Sequence, residues 1–426
     1  MTFDRRVLLK GGGLALLSLG VGPSFLGRAA LGVSAPRPFR RRKVLVTLFQ
    51  RGAMDGLMAV PTLEDDKLRA LRPRLVLSAA RNRRGSAEAD AVARDLDGRF
   101  GLHPAFDPLF PLWQDGRLGI VHAVGSPDPT RSHFDAQDYM ESGTPGRKGT
   151  PTGWLNRVSG LMGHDATPWR SVAMTPALPR SLYGPAPSLA VTDLEDFRVS
   201  LPIAGGAARV AGRGFEALYE ETSQELLRDT AGDTFQALDM LDQESLRSYR
   251  PAGGAEYPQS PLGASLRQIA FLIKADVGLE VAFAESGGWD THVNQGVTTG
   301  SFARRATDLA ESIAAFWTDL GTHRDDVLVL TMTEFGRTVA ENGSGGTDHG
   351  HGSCLFLLGN RVAGGRVYGD LPGLGTKDLY EGRDLPVTTD FRSVFASVAE
   401  GHLGIRDDGT LFPGWQGPRM PLIKGG

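Results

Sequence analysis

Val44-Leu-Val-Thr-Leu-Phe49 is a compact, β-branched run that gives way to Gly52 and the turn pair Asp55-Gly56. Six such residues bounded by turn chemistry read as a buried strand with a loop at its carboxyl end. In open α/β sheets, ligands bind at loops of this kind. Outward from this run, short apolar stretches alternate with amphipathic ones. Residues 118–124, 277–283, 326–331 and 354–358 read as strands, and 104–116, 133–142, 302–320 and 391–402 as helices. The alternation predicts an α/β protein, a largely parallel sheet flanked by helices. Between about 180 and 262 the periodicity loosens around Gly-rich patches, which predicts a mainly helical insertion or lid. No internal repeat is visible.

The chain has 426 residues, 41% of them hydrophobic and 22% charged, enough to bury a full core. Its 46 Lys and Arg against 49 Asp and Glu leave a net charge of −3. That balance lacks the basic footprint of a dedicated nucleic-acid binder. A lone cysteine, Cys354, excludes an intrachain disulfide and a cysteine-based zinc cage, so any metal must be held by His and carboxylates.

Residues 1–35 read as an export signal and stand outside the fold. Arg5-Arg6 and Lys10 precede an uncharged, Gly-rich run from Gly11 to Gly27, and the segment ends in Val33-Ser34-Ala35. The run contains Pro23 and is shorter than the ~20 residues of a membrane span. This resembles a twin-arginine (Tat) signal, which exports proteins already folded. The expected partner is the Tat machinery and the expected compartment the periplasm or exterior, with no stable membrane anchor after processing. Residues 36–426 are then the mature domain.

The chemistry-bearing residues collect at strand ends. Asp290 and His292, two apart, project to one side if the chain is extended there. Asp348, His349 and His351 lie within four residues of a Gly-rich loop that can bend to aim several ligands at one point. Asp55 adds a carboxylate, although Asp-Gly is also ordinary turn chemistry. Ser132 stands at a predicted helix start, where it either caps the helix with Asp135 three residues on or marks an anion site. Mixed imidazole and carboxylate sets suit Zn²⁺ or Mn²⁺, and carboxylate-rich ones Mg²⁺ or Ca²⁺, so the residue types admit one or two divalent ions without choosing among them. His122, inside an apolar strand, reads as a core residue.

Five segments, Phe49-Gln-Arg-Gly-Ala-Met-Asp-Gly-Leu57, Arg131-Ser-His-Phe-Asp-Ala-Gln137, Gly287-Gly-Trp-Asp-Thr-His292, Thr333-Glu-Phe-Gly-Arg-Thr338 and Thr347-Asp-His-Gly-His351, together with the signal-like start, resemble the exported bacterial domain-of-unknown-function family 1501. That family is similar in fold to the alkaline phosphatase and sulfatase superfamily. The resemblance implies an alkaline-phosphatase-like domain with a metal site at the strand ends. It implies Asp55, Asp290, His292, Asp348, His349 and His351 as metal ligands, and Ser132 as the nucleophile. The narrow spacing of Asp290 and His292, and the place of His351 directly after the Asp-His pair, depart from the superfamily pattern. The sulfatase motif Cys-x-Pro-x-Arg is absent. On this reading the chain is an exported metal-dependent hydrolase of small phosphate or sulfate esters. Ser132 or a metal-bound water attacks, Arg131 stabilises the developing charge, and Glu334 and Arg337 support the site or touch the substrate. Two alternatives stay open: a metal- or anion-binding periplasmic protein without turnover, and a structural or assembly factor.

Overall fold

The strand Val44–Arg51 is apolar on both faces: Val46 and Leu48 join one buried cluster, Leu45 and Phe49 the other. A strand of that kind is stable only when helices cover both sides of its sheet. The computed structural model describes residues 42–79, 92–197 and 243–425, with short pieces at 16–17, 236–237 and 240–241. The main sheet consists of β1 (Leu16–Leu17), β2 (Val44–Arg51), β3 (Leu118–Gly125), β4 (Ser171–Ala173), β5 (Leu189–Ala190), β6 (Val281–Gly287), β7 (Val327–Met332), β8 (Ser353–Leu358), β9 (Arg366–Tyr368) and β10 (Thr389–Asp390). Their order is β1-β5-β4-β6-β2-β7-β8-β3-β9, with β10 also on β3. The run from β5 to β7 is parallel. Because β8 is antiparallel to both β7 and β3, β3 returns to the common direction. The architecture is the expected α/β one, mixed and mostly parallel.

On one face pack α1 (Pro261–Lys274) and α2 (Ser301–Asp319). The second buries Phe302, Ala306, Leu309, Ile313 and Phe316 at helical spacing. The opposite face is covered by α3 (Trp154–Leu161) and α4 (Phe391–Leu403), where Trp154 stacks on Phe395 with ring centroids 4.5 Å apart. Helix α4 is capped by the Asp390 carboxylate, which accepts from the Arg392 N–H, and stops at Gly404 in the left-handed region.

One expectation needs correction. The strand expected at 277–283 starts four residues later, at Val281, because Asp276 and Gly278 adopt positive φ and turn the chain there. Within the stretch read as a helical insertion, Leu189–Ala190 pairs into the main sheet and Gln243–Ser248 is helical, while 198–235 lie outside the described residues. The export reading of 1–35 also lies outside them, apart from Leu16–Leu17. Among the described residues no helix is long and apolar enough to cross a membrane.

The strand directions bring five loops to one edge. The carboxyl ends of β2, β3, β6 and β7 lie there, and so does the amino end of the reversed β8.

Candidate metal centre

Each of those loops is fixed by the backbone before its side chains are placed. Gly52, just past β2, has φ +115, and a Cβ there would lie 2.5 Å from the Asp290 amide nitrogen, so only glycine lets the two loops touch. Trp289 is buried, its amide donates to the Arg51 carbonyl at 3.2 Å, and its indole N–H donates to Ser286 Oγ at 3.1 Å. The loop before β8 is tied to that after β7, since Gly350 N–H donates to Gly336 O and Thr338 N–H to Asp348 O.

On this frame Asp290, His292 and His349 meet. The Nε2 atoms of His292 and His349 each lie 3.1 Å from Asp290 Oδ1 and 2.9 Å from each other. A third imidazole joins from the helix His133–Ser142: His133 Nε2 is 3.6 Å from Asp290 Oδ2 and has no hydrogen-bond partner. His133, Asp290 and His349 form a group that could hold a metal ion.

The other ring nitrogens explain the arrangement. His133 Nδ1 lies 2.8 Å from Glu334 Oε1, His292 Nδ1 3.0 Å from Asp348 Oδ1, and His349 Nδ1 2.9 Å from the Arg131 carbonyl oxygen. All three partners are acceptors, so in the neutral rings Nδ1 carries the hydrogen and Nε2 the lone pair. Metal-binding histidines are oriented in this way by oxygen partners on the far nitrogen. Two lone pairs 2.9 Å apart repel unless a proton or a cation lies between them. A shared proton would satisfy that pair and leave His133 Nε2 without a partner, and the ligand atoms of His133, Asp290 and His349 all lie within 4.8 Å of one another, as a shared ion requires. Bonds of about 2.0–2.1 Å at a tetrahedral centre place ligand atoms roughly 3.3 Å apart, and the contacts of Asp290 with the three imidazoles and of His292 with His349, 2.9–3.6 Å, lie about that value.

The charges around the group are set locally. Burial opposes ionisation of Asp290, but the Arg337 guanidinium at 2.7 Å and the facing imidazoles outweigh it and hold the carboxyl below its ordinary range. Glu334, fully buried, is likewise disfavoured by burial, yet hydrogen bonds from His133, Gln137 and the Gly52 amide keep it ionised. The Glu334 hydrogen bond raises the pKa of His133, while burial and then the nearby His133 lower that of His349. Phe335 lies against both rings, its centroid 5.0 Å from each, and with Ala53 and Ala136 gives the site an apolar wall.

The remaining expected residues lie outside this group. Asp55 is buried as the cap of a short helix, where it accepts from Arg72 Nη1 at 2.8 Å and Gln295 Nε2 at 2.7 Å. The Gln295 Oε1 in turn accepts from Thr291 and Thr347, which directly precede His292 and Asp348, so Asp55 braces the loops of Asp290 and His349 from behind. His351 leaves the site because the chain bends after Gly350, and its buried ring lies on Tyr380 at 4.7 Å. Asp348 reaches the group only through His292. The Arg131 guanidinium is held by Asp384 and Glu381, leaving its carbonyl to orient His349. Ser132 is exposed and makes no side-chain cap bond. Glu334 and Arg337 stand behind His133 and Asp290.

His133 is the residue that sequence reasoning missed. Its signal in the sequence is Arg131-Ser-His-Phe-Asp, an imidazole at a helix start beyond a strand's carboxyl end.

The family described as "Protein of unknown function (DUF1501)" matches residues 99–413. No curated protein matches the sequence. A Mg-bound mutant of the alkaline phosphatase from the Antarctic bacterium TAB5 is similar at 11% identity and a TM-score of 0.33, covering 75% of this chain and 92% of its own. The PsFucS1 sulfatase from Pseudoalteromonas sp. is similar at 12% identity and a TM-score of 0.37, covering 87% of this chain and 69% of its own. Neither likeness assigns a role to a residue here.

Proposed function

This chain belongs to the DUF1501 family, and on that premise we propose that it is a metal-dependent hydrolase of phosphate or sulfate esters, with Asp290, His292, His349 and His133 holding one divalent ion. One observation supports this above the rest: three imidazoles, each tethered through Nδ1 to an oxygen, direct Nε2 at one carboxylate. When bound, the metal would act as a Lewis acid on an ester oxygen and lower the pKa of a bound water. Glu334, Asp348 and the Arg131 carbonyl orient the imidazoles, and Arg337 holds Asp290 ionised. Ser132, exposed beside His133, is the candidate nucleophile, with a metal-activated water as its alternative.

A second reading, metal or anion binding without turnover, is favoured by the state of the arginines. The Arg131 guanidinium is taken by Asp384 and Glu381 and that of Arg337 by Asp290, so neither is presented free to an ester's charge. Metal analysis of the mature protein, followed by hydrolysis assays on phosphate and sulfate esters, separates the two. Ser132→Ala should keep metal and fold while losing hydrolysis, and His349→Ala should lose both metal and hydrolysis. Full turnover in Ser132→Ala would leave water as the nucleophile, and a wild type that binds no metal would end the metal reading.

The proposal extends to export through the Tat machinery by residues 1–35, to a periplasmic or secreted mature protein without a membrane anchor, and to small anionic esters rather than nucleic acid as partners. Replacing Arg5 and Arg6 by Lys should hold the protein in the cytoplasm with its signal uncleaved. Normal arrival outside would remove the Tat reading.

A further inference from the structure

The large apolar side chains left exposed among the described residues are Phe134 at 88%, Val293 at 59% and Tyr183 at 45%. Isolated exposed apolar residues are ordinary on any protein surface. The position of these is not scattered, because Phe134 directly follows His133 and Val293 directly follows His292. Tyr183, by contrast, lies beside Arg180, whose guanidinium is 5.5 Å from its ring centroid.

We propose that Phe134 and Val293 form the apolar half of the substrate site, receiving the aryl or alkyl group of an anionic ester whose charged oxygens face the metal. This rests on the metal reading above. Successive Cα atoms are about 3.8 Å apart, so each side chain departs from the backbone one residue from a ligand whose Nε2 lies beside Asp290. On the helix His133–Ser142 the two side chains His133 and Phe134 diverge by about 100°, and the phenyl ring, 88% exposed, stands in solvent one position from the imidazole. Behind the imidazoles Phe335, Ala53 and Ala136 are already buried as a separate apolar cluster. The site therefore joins a polar centre of imidazole and carboxylate to apolar groups behind and at its rim. A mouth of that composition suits an amphiphilic ester, since an apolar group beside the scissile bond covers Phe134 and Val293 while the anion meets the centre.

The test compares phenylphosphonate with methylphosphonate, two anions whose C–P bond does not hydrolyse, by calorimetry on metal-loaded wild-type protein and on the Phe134→Ser/Val293→Ser double variant. Both substitutions are at exposed positions and spare the core. Burial of one side of a phenyl ring predicts a wild-type preference for phenylphosphonate of roughly tenfold. In the variant the preference should shrink to about twofold, with metal content and methylphosphonate affinity unchanged. Equal wild-type affinities, or a preference that survives in the variant, would overturn the assignment while leaving the metal site standing. Failure of the metal-loaded protein to bind either phosphonate overturns the anionic-ester reading and this inference with it. Equal phosphonate affinities together with variant-sensitive binding to lipid vesicles would make the pair a membrane contact and also overturn it.

Discussion

Asp55 and Glu334 are both fully buried carboxylates at strand ends, yet the structure gives them different work. Asp55 is paired with buried Arg72 and sits behind the ligand loops, whereas Glu334 accepts from the far nitrogen of His133. Removing one partner of a buried pair leaves an uncompensated charge and costs about 3–5 kcal/mol. Asp55→Ala should therefore lower thermal stability sharply, measured by calorimetric unfolding of metal-free protein. Glu334→Gln keeps the shape and, by losing the charged acceptor, should weaken metal binding about 10- to 100-fold in a chelator competition. Unchanged metal affinity in Glu334→Gln would show that His133 is not a ligand. As residue types the two were indistinguishable in the sequence. Asp-Gly could be a turn or a ligand, and which one it became depended on Arg72 and Gln295, 17 and 240 positions away.

At the scale of elements, the candidate site depends on how closely loops approach one another. Gly52 connects β2 to the Asp290 loop with φ +115, a conformation that side chains rarely adopt, and has no room for a Cβ. Gly52→Ala should cost on the order of 1–3 kcal/mol and, by displacing Asp290, reduce metal affinity as well. Gly98 provides the comparison: its φ is +85, but a Cβ there would meet nothing within 4 Å. Gly98→Ala should cost about 1 kcal/mol through the backbone alone and leave metal binding intact. If both variants lost metal equally, close contact at Gly52 would not be what places Asp290. The strands and helices were legible because their apolar periods are local. The start of β6 was not, since Asp276 and Gly278 turn the chain at the head of a mainly apolar run.

For the whole molecule, three histidines far from the loops' chemistry set its response to acid. His103, His122 and His402 are buried, and burial pushes each down to about 4. Each places Nε2 against a backbone carbonyl, of Val297, Val60 and Val44, which suits a neutral ring. With folded values below the ordinary 6.5, the unfolded chain binds protons first. The stability they contribute is fully present above about pH 6.5 and is lost as the pH falls towards 4, on the order of 3 kcal/mol each. That sum is comparable with the whole margin of a folded domain. Metal-free protein should show an unfolding temperature that falls steeply across this window. His402→Gln, which retains a donor for Val44 O, should make the decline shallower; an unchanged slope would show that His402 already titrates normally in the fold.

The α/β class, the run of β2, the long helices and the gathering of chemistry at strand ends were determined by the sequence alone, because apolar period and turn residues act within a few positions. Asp290, His292 and His349 were legible for the same reason, as acid and imidazole placed beside turns. Which residues share a centre was decided only by tertiary structure. The reversed β8 brings its leading loop to the carboxyl edge of the parallel strands, so His349 meets Asp290 and His292 there. The chain's bend after Gly350 sends His351 away, Arg72 claims Asp55, and His133 enters from a helix more than 150 residues distant from Asp290. A metal centre is made by atoms a few ångströms apart, and separations of that kind between distant segments are set by strand order and direction rather than by any local pattern.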